Sequence, residues 1–175
     1  MIYIICILIS AFVLGLDMIS KHLAVLYNVD KAIIPELLKF KLTYNTGAAF
    51  SFLGEYSLAI TFFVILTLIT IIGILIFMVY SFVKKKPMSK WLAVALALVV
   101  GGALGNLIDR VWLGKVRDFI FVFYNTDIFP AIFNVADIAL VVGVIMICVY
   151  LLFLDKDAVF KFSKEGKDGK EDNNG

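Results

Sequence analysis

Four long apolar runs constrain this chain more than any other feature of its sequence. They extend from Ile2 to Leu16 with a weak continuation to Leu26, from Ser57 to Val83, from Trp91 to Ile108, and from Ala131 to Leu154. About 20 mostly apolar residues in a helix cross the roughly 30 Å hydrocarbon core of a bilayer, where only helices and closed barrels satisfy their backbone. The 175 residues are 62% hydrophobic and 17% charged, which is too apolar for a soluble domain. The sequence therefore predicts an all-α membrane protein with four transmembrane helices.

The charges between the apolar runs predict how these helices are oriented. The loop Lys84–Lys90 carries four lysines and no acidic residue, and loops of this kind stay in the cytoplasm. With four spans, both termini are then cytoplasmic as well. The first run has no basic segment before it and no small-residue cleavage site after it, so we expect it to be retained. Residues 27–56 and 110–130 become the two outer loops.

The chain is predicted to form one domain and a tail. Residues 1–155 hold the four spans and both outer loops, and residues 156–175 are charged and glycine-containing without apolar periodicity. That composition predicts a disordered cytoplasmic tail. In the outer loops, Phe40–Asn45 alternates apolar and polar residues, and Arg117–Tyr124 is aromatic and β-branched. Both patterns are typical of strands and predict a small extracytoplasmic β-sheet.

Composition argues against several other classes of protein. The net charge of +2 is too small for the basic surface of a nucleic-acid-binding protein. Cys6 and Cys148 lie inside apolar runs and indicate neither a disulfide nor a metal site. His22 is the only histidine and has no second ligand at zinc spacing. We therefore expect no metal, no cofactor and no nucleic-acid partner.

Two aspartates carry the strongest chemical signal. Asp137 follows Asn134 by three positions near the start of the last run, so both side chains project from one helical face. A carboxylate there is costly and is usually functional, turned toward the bundle interior or a wet cavity. Asp118 follows the turn-like segment Trp112–Lys115, which lets it reach Asp137 over the mouth of the bundle. Two carboxyl groups that share a site do not both ionise cheaply, which is the basis of aspartic-protease chemistry.

Other readings of these aspartates remain open from the sequence. Asp137 can be a buried acid that only ties helices together, and Asp118 can be a solvated acid at the end of a strand. Two rival functions are a small ion- or proton-coupled transporter and a non-enzymatic assembly factor that holds partner helices. The acids cluster at helix ends rather than near the midplane, which argues against transport.

The end of the third run combines small and polar residues. The glycines in Gly101–Gly105 predict close approach of a neighbouring helix. Asn106, Asp109 and Arg110 follow at positions i, i+3 and i+4, so they form a polar face at the outer end of that helix. We expect Asp109 and Arg110 to pair with each other or to order the following loop.

Two further motifs lie at the outer ends of the first and second spans. Asp17 and Lys21 are spaced i and i+4, which predicts a structural ion pair that lowers the cost of both charges. Asn45–Phe50 combines a turn-forming Asn and Gly with small residues. That segment predicts a loop whose backbone amides stay open to an extended peptide.

Together these motifs resemble the lipoprotein signal peptidases, the type II signal peptidases of bacteria, in order across the whole core of the chain. The charged tail lies outside the resemblance, and Met18 stands where the family usually carries Gln. The matching stretches are Asp17-x-x-x-Lys21, Asn45-x-Gly47-Ala48-Ala49-Phe50, Gly101-Gly102-Ala103-x-Gly105-Asn106-x-x-Asp109-Arg110, Val116-x-Asp118-Phe119 and Phe133-Asn134-x-Ala136-Asp137.

The resemblance implies an aspartic endopeptidase that removes the signal peptide from diacylglyceryl-modified prolipoproteins, cutting before the lipidated cysteine at the outer face of the bacterial plasma membrane. Its implied partners are these substrates and membrane lipids, it implies no cofactor, and we expect a monomer. It also implies a short amphipathic helix near Asn28–Phe40. The implied roles are catalytic for Asp118 and Asp137, substrate-binding for Asn45, Gly47, Asn106, Arg110 and Asn134, and structural for Asp17, Lys21 and Asp109.

Overall fold

Four helices form the body of the protein in a computed structural model that describes residues 1–46, 56–85, 88–125 and 131–155. All four are long and apolar enough to cross a membrane, as the apolar runs predict. They are α1 (Ile2–Leu26), α2 (Tyr56–Val83), α3 (Lys90–Leu113) and α4 (Val135–Val149), and a π-helical turn at Tyr150–Leu154 continues α4. The predicted disordered tail and Gly47 lie outside the described residues.

The helices alternate in direction. α1 and α3 run parallel, as three hydrogen bonds along their length show: Cys6 to Ala93, Ser10 to Ala97, and Lys21 to Asn106. α4 runs antiparallel to α3, since the Trp91 indole donates to the carbonyl of Met146 at one end while Asn106 donates to Asp137 at the other. The ends of α1 and α3 therefore lie beside the starts of α2 and α4, at the opposite end of the bundle from Lys84, Lys85 and Lys90.

Glycines set the close packing of α3 against its neighbours. A Cβ on Gly101 would lie 2.8 Å from the carbonyl oxygen of Ser10 in α1, and one on Gly102 would lie 2.5 Å from the carbonyl oxygen of Ala136 in α4. Both distances are shorter than a real side chain tolerates, so only glycine permits these contacts. The close packing predicted from the sequence is confirmed.

A four-stranded antiparallel sheet covers the end of the bundle where α1 and α3 finish. Its strands are β1 (Asp30–Ile34), β2 (Leu38–Asn45), β3 (Val116–Val122) and β4 (Ala131–Phe133), in that spatial order. The two strands predicted from the sequence correspond to β2 and β3. The structure pairs them so that Thr43 lies opposite Asp118 and Asn45 lies opposite Val116.

The expectation of an amphipathic helix near Asn28–Phe40 is wrong, because that segment forms the β1–β2 hairpin. Lys31 pairs with Phe40 in its ladder. The chain reverses at Pro35 and Glu36, and the φ of 63° at Glu36 lies in the left-handed region that ends a helix or makes a turn. Cross-strand pairing thus overrides any local helical tendency in this segment.

Two predicted helix boundaries also move. The last span begins at Val135 rather than Ala131, because Ala131–Phe133 joins the sheet as an edge strand beside β3. The third helix continues past Ile108 and ends at Gly114, whose φ of 65° is the left-handed conformation that glycine supplies at helix ends. The turn predicted at Trp112–Lys115 is confirmed by this helix end.

Candidate active site

Asn134 fixes the start of α4 and the conformation of Asp137. The Asn134 side-chain oxygen accepts a hydrogen bond from the Asp137 backbone N–H at 3.0 Å, and Asp137 Oδ2 accepts one from the Asn134 backbone N–H at 3.1 Å. This reciprocal capping box satisfies two donors that the helix would otherwise leave unpaired. The three-residue spacing noted in the sequence is therefore a helix cap, which presents Asp137 at the positive end of the α4 dipole.

Asp118 lies on β3 and points into the protein, with a relative exposure of 2%. Its Oδ1 accepts a hydrogen bond from Asn134 Nδ2 at 2.6 Å, and its Oδ2 accepts one from Asn45 Nδ2 at 2.9 Å. A solvated strand-end acid is therefore the wrong description of Asp118. Because Asn134 contacts both aspartates, the structure brings Asp118 and Asp137 into one site with Asn134 between them.

The environment of Asp118 raises its pKa from 3.8 to about 6. Burial is the largest cause, since it disfavours the charged form, and the nearby negative charge of Asp137 acts in the same direction. The hydrogen bonds from Asn45 and Asn134 and the charge of Lys21 oppose the shift. The net result is a carboxyl group that binds or releases a proton close to neutral pH.

Asn106 joins this pair of acids to a second group of charges. It is 4% exposed on α3 and donates from Nδ2 to Asp137 Oδ1 at 2.7 Å. Its Oδ1 accepts from Lys21 Nζ at 3.0 Å and from Asn134 Nδ2 at 3.1 Å. Asn106 therefore lies at the crossing of the interactions that connect α1, α3 and α4.

A buried ion cluster lies directly behind Asn106. Lys21 Nζ is 2.7 Å from Asp17 Oδ2 and 3.3 Å from Asp109 Oδ2, and all three side chains have zero relative exposure. Asp17 Oδ1 also accepts the backbone N–H of Ala136 in the first turn of α4, at 2.9 Å. The ion pair predicted from the spacing of Asp17 and Lys21 is confirmed, and it ties α1 to α3 and α4.

Arg117, which the sequence did not single out, completes the cluster. Its Nη2 lies 2.6 Å from Asp109 Oδ1, and its backbone N–H donates to Asp109 Oδ2 at 3.0 Å. Asp109 therefore pairs with Arg117 and not with Arg110. The other expectation, that Asp109 orders the following loop, is confirmed by these contacts. The available signal was an arginine three residues after the helix-ending Gly114, where the returning strand passes the end of α3.

Arg110 faces a cavity instead. Its guanidinium carbon lies 5.1 Å from the ring centre of Phe63 on α2, within the range of a cation–π contact. The cavity has a volume of about 230 Å³ and also exposes Asp137 and Asn106. A more apolar cavity of about 270 Å³ lies between α1, α2 and α3, lined by Cys6, Ser10 and Leu104 among others, away from both aspartates. Of these two cavities among the described residues, the one beside Arg110 gives an occupant access to a carboxyl group.

The site thus gathers nine of the ten residues expected from the sequence, and Gly47 lies outside the described residues. The chain is also similar to known proteins in sequence. A family model described as Signal peptidase (SPase) II matches residues 9–153. The chain is 44% identical over 168 residues to the lipoprotein signal peptidase of Enterococcus faecalis, covering 93% of each chain. It is 42% identical over 150 residues to that of Caldanaerobacter subterraneus, covering 84% of this chain and 95% of the relative.

Solved structures show the same fold. Two structures described as bacterial membrane enzymes superpose with TM-scores of 0.70 and 0.71, at 37% and 38% identity. The first covers 84% of this chain and 92% of the solved one, and the second covers 93% and 94%. The match extends over every span and over both aspartates, so the chain belongs to the signal peptidase II family of membrane proteases.

Proposed function

We propose that Asp118 and Asp137 are the catalytic carboxyl groups with which this signal peptidase II family member removes the signal peptide from prolipoproteins. The observation that carries the proposal is the hydrogen-bonded array Asp118–Asn134–Asp137 at one end of the bundle. Amide donors orient both carboxyl groups, and the cavity lined by Asp137 gives a peptide access to that carboxyl group. Aspartic peptidases require such a pair of unequal carboxyl groups.

The two carboxyl groups have different roles in this mechanism. Asp118, whose pKa is raised by burial and by the nearby charge of Asp137, carries the shared proton. Asp137 lines the cavity and lies in the first turn of α4, at the positive end of the helix dipole, and it acts as the base. Asp137 takes a proton from a water molecule as the water oxygen bonds to the scissile carbonyl carbon, and Asp118 protonates the carbonyl oxygen. The tetrahedral intermediate then collapses: Asp137 gives its proton to the nitrogen as the C–N bond breaks, and Asp118 takes back a proton from a hydroxyl group of the intermediate. A carboxyl group remains on the other product, and both acids return to their starting states.

The cavity between α2, α3 and α4 is the proposed place of the substrate peptide. Arg110 and Asn106 line it beside Asp137. Asn45 belongs to the same proposed set through its hydrogen bond to Asp118. Gly47, two residues after Asn45, belongs to the same proposed substrate-binding set. The diacylglyceryl chains of the modified cysteine stay in the bilayer, so the membrane positions the scissile bond just before that cysteine. A single chain supplies all of these groups, which supports an active monomer.

The lysine-rich loop supports an orientation for this site. Lys84, Lys85 and Lys90 lie at the opposite end of the bundle from the sheet, so a cytoplasmic location for the lysine-rich loop directs Asp118 and Asp137 outward. Both termini are then cytoplasmic. The proposed location is the bacterial plasma membrane, with the sheet and the site on its outer face.

Cleavage of a diacylglyceryl-modified prolipoprotein by the purified protein tests the catalytic assignment. Asp118→Asn and Asp137→Asn keep the size of each side chain but remove the acid, so each rate should fall by at least about a hundredfold. Asp30→Asn is the matched control, because Asp30 is an exposed acid on β1 that pairs with Lys39. It should cleave at the parent rate. Processing by Asp137→Asn at the parent rate would contradict the assignment.

A further inference from the structure

The orientation of the Asn106 amide determines whether a hydrogen-bond donor or an acceptor faces the Asp137 carboxyl group. An asparagine amide has a donor side and an acceptor side, and exchanging them would replace the N–H that faces Asp137 Oδ1 with an oxygen. An N–H stabilises an ionised carboxylate, whereas an oxygen stabilises a protonated one that donates to it. The proposed role of Asp137 as the base requires the N–H.

The Lys21 ammonium holds that orientation. An ammonium group can donate but not accept, so the Asn106 atom 3.0 Å from Lys21 Nζ must be the oxygen. A second donor, Asn134 Nδ2, reaches the same oxygen at 3.1 Å, but it is neutral, and hydrogen bonds from charged donors are roughly twice as strong. Lys21 is itself immobilised between Asp17 and Asp109, with zero relative exposure. The buried ion cluster of Asp17, Lys21 and Asp109 therefore also supplies a charged hydrogen-bond donor to the Asn106 side chain.

We propose that Lys21 is a positioning residue for the peptidase reaction, acting through Asn106 to keep the amide N–H on Asp137. This inference rests on the catalytic assignment of Asp118 and Asp137. Among the described hydrogen bonds Lys21 donates to neither carboxyl group: its charge acts directly on Asp118, whereas its connection to Asp137 passes through the Asn106 side chain.

The charges around Asn106 define which variants are informative. α1 contributes Asp17 and Lys21, and α2 carries no charged residue in its sequence. β2 presents the neutral Asn45 to the site, and Lys39 on that strand pairs with Asp30 at the distant hairpin. Among the residues that the structure describes, the remaining charged groups that face the site are Asp109 and Arg110 from α3, Arg117 and Asp118 from β3, and Asp137 from α4. Replacing Lys21 together with Asp17 removes one charge of each sign, so it removes the donor without changing the net charge of the cluster.

The experiment is the pH dependence of kcat/KM for prolipoprotein cleavage by the parent, by Lys21→Met/Asp17→Asn and by Asp17→Asn alone. Protonation of the base causes the acidic limb. Loss of the charged donor should move the acidic limb of Lys21→Met/Asp17→Asn upward by about one pH unit, the size expected for a hydrogen bond to a charged group. Asp17→Asn keeps the contact between Lys21 and Asn106 and should show no upward movement. Coincident acidic limbs for the parent and Lys21→Met/Asp17→Asn would overturn the proposal.

A second comparison separates positioning from general support of the fold. Asn106→Leu leaves Lys21 between Asp17 and Asp109 but removes the intermediary, so it should also move the acidic limb upward. It remains informative even where the change at Lys21 prevents folding. Adding Lys21→Met/Asp17→Asn to Asn106→Leu should move the limb no further, because the route is already broken. A parent-like acidic limb in Asn106→Leu, or a full additional shift in the combined variant, would refute the route.

The outcomes for the two proposals are distinct. If Asp118→Asn or Asp137→Asn cleaves at the parent rate, the catalytic assignment fails, and the role of Lys21 fails with it. If both are inactive and the acidic limb does not respond to Lys21→Met/Asp17→Asn, the catalytic pair stands and only the positioning role is overturned.

Discussion

The helices α2 and α3 are both long and apolar, but they occupy opposite environments. In the most apolar 18-residue window of each, 6% of α2 is buried inside the protein, compared with 56% of α3. α2 directs large side chains outward, such as Ile69, Ile76 and Val79 at 60% exposure or more, whereas α3 buries alanine, glycine, Asn106 and Asp109. In a bilayer, apolar side chains do not identify the inside of a protein. Small and polar residues do, because close packing and internal hydrogen bonds have no counterpart in lipid.

The largest difference in stability should come from replacing a polar side chain in the buried cluster beside α3 and one on the exposed helix α2. Lys21→Met leaves Asp17 and Asp109 buried without their shared cation, which should lower the free energy of unfolding by about 3–5 kcal/mol. Thr70→Val on α2 should lower the free energy of unfolding by less than about 1 kcal/mol, because the Thr70 Oγ1 hydrogen bond among the described residues is to the Leu66 carbonyl of its own helix. Thermal unfolding in detergent measures both. Equal losses of stability in the two variants would show that α2 and the buried cluster contribute alike. Partial recovery of stability in Lys21→Met/Asp17→Asn would show that the loss in Lys21→Met comes from the acids left without their cation.

Glycine substitutions compare the packing of α2 and α3 without changing any charge. Gly102→Ala places a methyl group 2.5 Å from the Ala136 carbonyl oxygen and should destabilise the protein by about 1–3 kcal/mol. Gly73→Ala on α2 is the matched control, since a Cβ there meets nothing within 4 Å. It should leave the melting temperature unchanged or raise it slightly, because alanine favours helix. A loss in Gly73→Ala as large as that in Gly102→Ala would show that α2 is packed as closely as α3.

Asp118 should make stability depend on pH in an unusual direction. Its folded-state pKa of about 6 lies above the ordinary 3.8, so the folded protein binds more protons than the unfolded chain between these values. Stability from this group is therefore fully present below about pH 4 and is lost as the pH rises through about 6. Asp118→Asn should remove this dependence and gain on the order of 2 kcal/mol at pH 7. Melting curves at pH 5 and pH 7 test this, and a parent-like pH dependence in the variant would contradict it.

The smallest effect is expected at the opposite end of the bundle. Trp91→Phe removes the donor of the 2.7 Å hydrogen bond to the Met146 carbonyl but keeps an aromatic ring. Membrane hydrogen bonds of this kind average about 0.6 kcal/mol, so the melting temperature should fall only slightly and cleavage should be unchanged. A loss of stability as large as that expected for Gly102→Ala would show that contacts at this end of the bundle stabilise the protein as much as those near the sheet.

The sequence predicted most of the residues that meet at the site, but fewer of their contacts. The spacing of Asn134 with Asp137 and of Asp17 with Lys21 correctly predicted neighbours, because three- and four-residue spacings fix geometry within one helix. Arg117 was missed because its partner, Asp109, belongs to a different element. The amphipathic helix near Asn28–Phe40 was implied by the family resemblance and not by the residue pattern. The structure has the β1–β2 hairpin there, held by cross-strand pairing that includes β2 with β3.

By itself, the sequence determined the four spans, the charged loop at one end and the two local polar pairs, since hydropathy and helical spacing act over a few turns of chain. Only the tertiary structure decided that Asn134 bridges Asp118 and Asp137, and that Lys21 reaches Asn106, 85 residues away. Those contacts depend on how closely α1, α3 and α4 approach. Glycines and buried charges distributed along the whole chain set that approach together.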